Sequence, residues 1–401
     1  MKKEQTWIRK RHRFFTELAR FILTPVVRRK YGLKPEPFLA QCDRAYLILF
    51  NHQTPFDQFF VGMSFKGPVY YVATEDIFSN GFVSSLLRFA VAPIPIVKQT
   101  TDLKAVKTCI RVAKEGGTIA IAPEGNRTYS GRTGYINPAI AGLAKKLRLP
   151  IALYRIEGGY GVQPRWSDKT RKGSMRSYVS RVIEPEEYAD LTTDALLREI
   201  QTGLYVDERE TVGIYRSNRR AEYLERAAYV CPFCGLSKFE SSGNTIACST
   251  CGRRIEYGED MRLKGTGFDF PFEFYGDWYD YQCQFVNGLD LSADSDKPLF
   301  TDAANLYDVV LNHKKVLLRK NAAVRLYGDR VEIGEGDPLV LPFSEMRAAA
   351  VLGRNKLNLY VGEHTYQFKG GKQFNALKYV NLYHHFKNTD RGDVNGQFLG
   401  L

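Results

Sequence analysis

The sequence predicts an α/β protein: a domain with a mostly parallel sheet and flanking helices, then a small cysteine-rich module, then a C-terminal antiparallel β-barrel with a capping helix. Three observations lead to this prediction. Short apolar runs alternate with helical patterns over residues 38–185, which is typical of a parallel sheet with helices on its faces. Two Cys-x-x-Cys pairs lie between residues 231 and 251. Residues 314–368 alternate like short antiparallel strands, and an amphipathic helix is predicted at 375–386.

Length and charge limit the classes of protein to which the chain can belong. The chain has 401 residues, which is enough for two or three domains. Lys and Arg number 57 against 44 Asp and Glu, and the net charge of +13 favours an anionic partner: nucleic acid, an anionic membrane surface, a phosphorylated substrate or an acidic carrier protein. No apolar run is long enough to cross a bilayer and no signal peptide is evident, so we expect a cytoplasmic protein in a reducing compartment.

The first 30 residues combine a strong positive charge with regularly spaced apolar side chains. Ten Lys or Arg residues stand against two Glu, a net charge of +8. Leu18, Phe21 and Ile22 have helical spacing, and Phe14 and Phe15 lie one turn earlier. This pattern favours a basic amphipathic helix that lies peripherally on an anionic membrane surface, with its charges among the headgroups. The alternative is a helix that packs on its own domain while its charges are solvated.

Strands and helices alternate over residues 38–185. In the helix predicted at 102–114, apolar residues repeat at helical spacing, and Gly116-Gly117 should end it. In an α/β domain of this kind, functional residues lie on loops at the carboxyl ends of strands. The predicted strands are 45–50, 69–73, 118–122, 151–156 and 178–183, and the predicted helices are 55–64, 80–89, 102–114 and 138–147. Residues 193–225 are also predicted to be helical and to connect this domain to the next part of the chain.

The loop after the strand at 45–50 carries the first candidate catalytic residues, His52 and Asp57. Pro55 suits the first position of a helix, so His52 should end a strand while Asp57 lies in the first turn of the next helix. The Asp57 carboxylate can then accept a hydrogen bond from one imidazole nitrogen, and the other nitrogen can take a proton from a substrate hydroxyl. Alternatively, Thr54 and Asp57 form a helix-capping pair and His52 is only a polar turn residue.

A second polar loop, Pro123-Glu124-Gly125-Asn126-Arg127-Thr128, follows the third predicted strand. Gly125 lets the backbone approach a ligand, and Arg127 can hold a phosphate with two parallel hydrogen bonds. Glu124 can receive a ligand hydroxyl or hold Arg127 in place, and Lys98 can add positive charge. The alternative is an ordinary turn with a Glu–Arg surface pair, which would contribute little to stability.

Together the two loops resemble the glycerolipid acyltransferase family, the glycerol-3-phosphate and 1-acylglycerol-3-phosphate O-acyltransferases. The family's first block, Asn-His, four residues and Asp, is matched by residues 51–57. Its third block, Pro-Glu-Gly-x-Arg-Ser/Thr, is matched by residues 123–128. Its second block ends in an apolar run and an Arg, where this chain has residues 93–97 and then Lys98. Its fourth block, an apolar strand opened by Pro, is similar to residues 149–153.

The resemblance covers about residues 20–210 and implies an O-acyltransferase. A fatty acyl group would move from acyl-CoA or acyl carrier protein to a hydroxyl of a glycerol phosphate-type acceptor, with the lysophospholipid 1-acylglycerol-3-phosphate giving phosphatidate. His52 would be the general base and Asp57 its partner, with no acyl-enzyme intermediate. The implied acceptor-binding residues are Glu124, Gly125, Arg127 and Lys98.

A different class of function stays open: a lipid- or nucleic-acid-binding scaffold protein whose acyltransferase-like domain is inactive. A degenerate enzyme would usually lack at least one of the residues that carry the chemistry. All four are present here, namely His52, Asp57, Glu124 and Arg127. Their presence favours the enzyme.

The seven cysteines include two pairs at Cys-x-x-Cys spacing, Cys231 with Cys234 and Cys248 with Cys251. Two such pairs supply four thiolates for a tetrahedral structural Zn²⁺ site, and the turn predicted at 241–244 suits a zinc ribbon. Because no coordination position is left open, a catalytic zinc is not expected. A nucleic-acid-binding ribbon is the competing interpretation, which the nearby basic residues permit but do not require.

Aromatic residues crowd the segment 268–285, which we interpret as a strand and turn whose rings fill a core. Acidic residues interleave with the rings and would repel a phosphate backbone, so nucleic acid is not the expected partner. Seven strands and a final helix resemble the pleckstrin-homology-like fold, which implies a lipid- or protein-binding domain. The predicted strands are 315–320, 323–326, 330–333, 339–342, 348–352, 356–361 and 364–368.

These patterns predict five consecutive parts. They are a membrane-surface segment at 1–30, an acyltransferase domain at 31–225, a zinc ribbon at 226–265, a pleckstrin-homology-like domain at 266–390 and a tail at 391–401.

Overall fold

The computed structural model describes residues 6–74, 82–96, 103–211, 213–291, 296–309 and 315–392. The chain divides into two compact units. The first unit is Met1–Val162 with Lys172–Gly213, and the second is Gln163–Arg171 with Ile214–Leu401. The short segment Gln163–Arg171 joins the second unit although the chain on both sides of it belongs to the first.

The first unit is built on a seven-stranded sheet in the order β1–β7–β6–β2–β5–β3–β4. Five of its six strand pairings are parallel, and only β6 with β7 is antiparallel. The predicted mostly parallel sheet is therefore confirmed, although its two edge strands, β1 and β4, were not predicted. The strands are β1 Leu33–Pro35, β2 Leu47–Phe50, β3 Val69–Thr74, β4 Ile94–Ile96, β5 Thr118–Ile121, β6 Ile151–Glu157 and β7 Met175–Ile183.

The centre of this sheet explains where the functional loops lie. Leu47, Ile48 and Leu49 of β2 are all fully buried, because a central parallel strand is covered by helices on both faces. β2 pairs in parallel with both β5 and β6, so the carboxyl ends of all three strands meet at one edge. The two polar loops of the sequence follow β2 and β5 at that edge.

The helices of the first unit follow the predicted alternation, with shifted ends. Gly116 has a φ of +80° and its N–H bonds the carbonyl of Ala113, which ends α4 where the sequence predicted. The helix predicted over 193–225 stops at Leu204, and an irregular segment follows. The helices are α1 Lys10–Tyr31, α2 Asp57–Ser64, α3 Phe82–Ala90, α4 Leu103–Lys114, α5 Ala139–Leu147, α6 Gly159–Val162, α7 Pro185–Tyr188 and α8 Thr193–Leu204.

Helix α1 packs against α2, α3 and β1 of the first unit. His12 is buried, and its Nδ1 lies 3.1 Å from the Tyr70 hydroxyl. Arg20 donates to the carbonyls of Gly62 and Phe65 at 2.9 and 2.7 Å. An exposed apolar stripe runs along α1 at helical spacing, and its members are Phe14, Leu18, Phe21, Ile22 and Val26. No helix in the described ranges is both long enough and apolar enough to cross a bilayer.

The cysteine-rich part of the second unit consists of short strands. β8 Val230–Cys231 pairs with β9 Gly235–Leu236, and a four-stranded antiparallel sheet follows. Its order is β10–β11–β12–β13, with strands β10 Phe239–Ser242, β11 Thr245–Cys248, β12 Arg254–Tyr257 and β13 Leu263–Gly265. The hairpin between β10 and β11 turns at Gly243, inside the predicted turn.

The aromatic segment is a helix rather than the strand and turn that the sequence predicted. α9 spans Tyr275–Asn287, and its Tyr275 and Trp278 are buried, so the rings do fill a core. The prediction was wrong because the aromatic residues 268, 270, 272 and 274 alternate like a strand and mask the helical spacing that begins at Tyr275.

The C-terminal part is an antiparallel sheet in the order β17–β16–β15–β14–β20–β19–β18 with a final helix, α10 Leu377–Asp390. In the described residues the outer strands β17 and β18 do not pair with each other, so the sheet is a half-barrel where the sequence predicted a β-barrel. The strands are β14 Phe300–Asp308, β15 Val316–Leu326, β16 Arg330–Ile333, β17 Leu339–Pro342, β18 Met346–Leu352, β19 Lys356–Val361 and β20 His364–Gly370.

The number of strands in this sheet agrees with the prediction, but two of the assignments do not. β14 was not predicted, and the strands predicted at 315–320 and 323–326 are one strand, β15. Asn321 lies in the middle of β15 with a φ of +44°, and the pairing with β14 shifts register opposite this stretch. Such an irregularity breaks the apolar alternation without ending the strand.

Candidate active site and cysteine cluster

Asn51 fastens the end of β2 to the neighbouring strand β6. Its side-chain amide donates to the carbonyl of Ile156 at 2.8 Å, and its side-chain oxygen accepts the N–H of Ile156 at 2.7 Å. The side chain thus replaces the next pair of ladder hydrogen bonds while it is almost fully buried. This contact sets the position from which the following loop starts.

His52 and Asp57 are brought into direct contact. His52 Nδ1 lies 2.7 Å from Asp57 Oδ2, with the carboxylate fully buried and the imidazole side chain 25% exposed. Because an ionised carboxylate can only accept, Nδ1 carries the proton and Nε2 is left as a proton acceptor. An imidazole that a buried carboxylate orients and that stays partly exposed has the arrangement required of a general base.

The Asp57 carboxylate also caps the turn that precedes α2. It accepts the backbone N–H groups of Gln53 and Thr54 at 2.7 and 3.0 Å and the Thr54 hydroxyl at 2.6 Å. Helix α2 begins at Asp57, so Pro55 lies in the turn and not at the first helical position predicted for it. Thr54 and Asp57 do bond each other, but within this turn: the N-cap of α2 is Phe56 and makes no side-chain capping hydrogen bond, so the helix-capping pair of the alternative interpretation is not formed.

The second loop is joined to the first through the peptide groups of His52 itself. The N–H of His52 donates to Glu124 Oε1 at 2.7 Å, and its carbonyl accepts the N–H of Thr128 at 3.0 Å. Glu124 Oε2 accepts the N–H of Gly134 at 2.6 Å. Burial raises the pKa of Glu124 to about 8, even though these two donors favour the charged form. Glu124 thus braces the backbone of His52.

The other three predicted binding residues differ in their surroundings. Gly125 has a φ of +68°, and a Cβ built there would have no atom within 4 Å, so this turn borders open space. Arg127 is 9% exposed, which excludes the surface ion pair of the alternative interpretation. Lys98 lies outside the described residues.

Sequence reasoning missed the groups that hold the loop from its other side. Gln53 Nε2 donates to Glu208 Oε1 at 2.7 Å, and both side chains are buried. Glu208 lies in the stretch that was predicted to be a helical connector. An acidic residue that is buried gives the same sequence signal as one that is solvated, so no pattern could have identified it.

The four cysteines of the two pairs converge in the second unit. Cys231 Sγ lies 3.8 Å from Cys251 Sγ, Cys234 Sγ lies 3.5 Å from Cys248 Sγ, and all four sulfurs are within 4.8 Å of one another. Gly235 and Gly252 follow the two pairs with φ values of +77° and +71°, which lets the backbone fold tightly around each pair. The four thiols form a cluster that can hold a metal ion.

The first unit resembles known acyltransferases. Residues 30–156 match the acyltransferase family model. A 1-acyl-sn-glycerol-3-phosphate acyltransferase of Bacillus subtilis (strain 168) is 23% identical over 153 residues, which are 37% of this chain and 72% of that protein. The crystal structure of the 1-acyl-sn-glycerophosphate (LPA) acyltransferase PlsC from Thermotoga maritima aligns with a TM-score of 0.40 and 18% identity, over 49% of this chain and 76% of that one.

The matches confirm the predicted resemblance to acyltransferases. The chain carries an acyltransferase domain homologous to 1-acyl-sn-glycerol-3-phosphate acyltransferases. The family match ends at residue 156, before the cysteine pairs.

Proposed function

We propose that the chain is a membrane-surface O-acyltransferase that moves a fatty acyl group from an acyl thioester to a hydroxyl of a glycerol phosphate-type acceptor. The reaction that fits best converts 1-acylglycerol-3-phosphate to phosphatidate. The observation that carries this proposal is the His52–Asp57 pair, at 2.7 Å, on a loop tied through the His52 peptide to the loop of Glu124 and Arg127. The match of residues 30–156 to the acyltransferase family supports it.

The mechanism uses one imidazole as a base and then as an acid. His52 Nε2 takes the proton of the acceptor hydroxyl while that oxygen attacks the thioester carbonyl carbon. The tetrahedral intermediate collapses with cleavage of the C–S bond, and the leaving thiolate of CoA or acyl carrier protein takes the proton back from the imidazolium. The buried Asp57 carboxylate stabilises the imidazolium between these two steps. No covalent acyl-enzyme is required.

A direct assay separates this function from a scaffold role. The protein is mixed with acyl-CoA and 1-acylglycerol-3-phosphate in lipid vesicles, and release of free thiol is followed together with mass spectrometry of the lipid product. We expect thiol release that depends on the acceptor. Vesicle binding with no thiol release, from acyl-CoA or from acyl carrier protein, would instead favour the inactive scaffold.

Arg127 is proposed to bind the acceptor phosphate. Arg127→Ala should raise KM for 1-acylglycerol-3-phosphate about tenfold or more, since a charge-assisted hydrogen bond to phosphate is lost, and should change kcat less. Steady-state kinetics with that acceptor and with an uncharged monoacylglycerol measures the effect. Arg44→Ala is the matched control, because Arg44 pairs with Glu184 at the surface. A KM that rises equally for both acceptors would contradict the assignment.

Helix α1 is proposed to seat the first unit on an anionic bilayer. Its exposed apolar stripe is flanked by exposed cations at Arg13, Arg28, Arg29 and Lys30. α3 extends the apolar surface with Leu86 and Phe89, and the Phe89 ring contacts Phe15 of α1. This combination suits the apolar and anionic layers of a membrane surface, where the lysophospholipid is found.

Phe21→Asp should weaken binding to anionic vesicles at least about tenfold, because a large apolar side chain is replaced by a charge that repels the headgroups. Phe21 is 82% exposed, so the folded state should tolerate the change. Leu39→Asp is the matched control, since Leu39 is 85% exposed but lies outside α1. Vesicle cosedimentation measures both variants. Equal loss of binding in the two would contradict a specific role of α1.

The cysteine cluster is proposed to hold one structural Zn²⁺ in a zinc ribbon. A tetrahedral site with Zn–S bonds of about 2.3 Å has S–S edges of about 3.8 Å. Two of the S–S separations, 3.8 and 3.5 Å, fit those edges. When bound, the metal would supply a cross-link for a small part of the fold and no catalytic chemistry, because four thiolates leave no open position.

The C-terminal half-barrel is proposed to be a pleckstrin-homology-like domain. Its seven strands form one antiparallel series, and α10 packs on β18, where the Tyr383 hydroxyl donates to the carbonyl of Met346 at 3.2 Å. A strand series capped by a C-terminal helix supports this assignment. A lipid- or protein-binding role in the second unit follows from it.

A further inference from the structure

We propose that Glu208 is a positioning residue for acyl transfer, which acts on the His52 loop through Gln53. This inference rests on the proposed function of His52 as the general base. Glu208 lies 52 residues beyond the end of the acyltransferase family match at residue 156. The irregular segment after α8 thereby becomes part of the support of the catalytic loop.

Glu208 receives hydrogen bonds from two different elements. Its Oε1 accepts from Gln53 Nε2 at 2.7 Å and from the N–H of Gly158 at 2.7 Å. Gly158 follows β6, so one carboxylate oxygen joins the loop after β2 to the loop after β6. The side chain is 2% exposed, so this carboxylate is held almost entirely by the protein. Two hydrogen bonds to a buried carboxylate distinguish Glu208 from a solvated carboxylate at the surface.

Gln53 transmits the contact to the catalytic pair. It is the residue between His52 and Thr54, and its N–H donates to the same Asp57 Oδ2 that contacts the imidazole. Its side-chain oxygen accepts the N–H of Tyr160 at 3.2 Å. A Cβ built on Gly159 would lie 2.5 Å from that oxygen, so α6 packs directly against the Gln53 side chain.

Backbone pairing brings Glu208 to this place. The N–H of Glu208 donates to the carbonyl of Gly131 at 3.0 Å, and the N–H of Thr133 donates to the carbonyl of Val206 at 2.9 Å. The segment 206–208 therefore runs antiparallel to residues 131–133, which follow the loop of Glu124 and Arg127. The His52 loop is braced by one buried carboxyl on each side, Glu124 and Glu208.

Because Glu208 is buried, glutamine should be the replacement that the protein tolerates best. Burial, with a smaller contribution from nearby Glu157, raises the pKa of Glu208 to about 7. Glutamine can retain an oxygen that accepts from Gln53 and Gly158, and it replaces the other carboxylate oxygen by an NH2 group that does not titrate. Alanine leaves both of those buried donors without an acceptor.

The test is a double-mutant cycle with Glu208→Ala, Gln53→Ala and the double variant. If Glu208 acts through Gln53, each single variant should lower kcat about tenfold to a hundredfold with KM for the acceptor nearly unchanged, and the double variant should be no worse than either single one. Glu208→Gln should restore most of the activity. Gly159→Ala should lower kcat in the same way, because it displaces the Gln53 side chain. Glu210→Ala is the matched control, since Glu210 is exposed two residues away.

A second readout separates this proposal from the proposed function. The imidazole NMR signals of His52 should shift in Glu208→Ala and Gln53→Ala alike and stay in place in Glu208→Gln, even if the wild-type protein transfers no acyl group. Circular dichroism confirms that each variant is folded. Additive losses in the double variant, or His52 signals that do not respond to Glu208→Ala, would overturn the proposal. Absence of acyl transfer by the wild type would overturn the proposed function alone.

Discussion

Replacing His52 with alanine should lower kcat for acyl transfer at least about a hundredfold, and up to about ten-thousandfold, which is the range for loss of a general base. The hydroxyl of the acceptor is a weak nucleophile unless its proton is removed as it attacks. In the first unit the group oriented for that task is the His52 ring, which Asp57 holds at 2.7 Å. Thiol release from acyl-CoA in the presence of 1-acylglycerol-3-phosphate measures the effect.

His364 offers a matched control for this experiment. Its Nδ1 lies 3.0 Å from Asp308 Oδ2, so the second unit contains a His–Asp pair of the same type, but one in which the His side chain is 58% exposed. His364→Ala should leave turnover unchanged. The fold should survive His52→Ala, since the carboxylate of Asp57 keeps its bonds to Gln53 and Thr54. Normal turnover by a folded His52→Ala variant would end the proposed mechanism.

Removing the metal from the cysteine cluster should unfold the cysteine-rich part of the second unit. Structural Zn²⁺ in small domains contributes about 10–16 kcal/mol, whereas whole domains are stable by only about 5–15 kcal/mol. Cys248→Ser, or a strong chelator on the wild type, should therefore remove more free energy than the packing of this part can offset. Metal analysis should give one Zn²⁺ per chain for the wild type and none for the variant.

Tryptophan fluorescence reports this unfolding directly. Trp278 is fully buried and its indole N–H donates to the carbonyl of Val230, the neighbour of Cys231, at 2.8 Å. Loss of the metal should shift its emission to longer wavelength as water reaches the ring. Cys42→Ser is the matched control, because Cys42 is exposed and outside the cluster. An unshifted emission spectrum with no bound metal would show that the cluster does not depend on zinc.

The part of the candidate site that could be predicted consists of residues that lie a few positions apart in the sequence. His52 and Asp57 were identified because five positions across a strand-to-helix turn allow an imidazole and a carboxylate to meet. The same spacing allowed a helix-capping pair, and the sequence could not show that Asp57 instead bonds the backbone of the turn that precedes α2. Glu124 was identified as well, but its two bonds to the backbone at His52 and Gly134 depend on how the loops pack.

The C-terminal sheet shows a similar limit for the fold. Alternation at 330–333 predicted β16 closely, because β16 pairs in regular register with both β15 and β17. Alternation failed at β14 and β15, where register shifts and the positive φ of Asn321 interrupt the pattern. A bulge is stabilised by the partner strand, so the residues of the strand that contains it do not predict it.

The sequence by itself determined the alternation of central strands and helices in the first unit, the two polar loops and the two cysteine pairs, because periodicity, turn chemistry and ligand spacing are properties of neighbouring residues. Only the tertiary structure decided that Glu208 lies behind Gln53 and that Gln163–Arg171 belongs to the second unit. Burial and hydrogen bonding between segments far apart in the chain arise from packing, and a carboxylate becomes a structural support only when packing removes it from water.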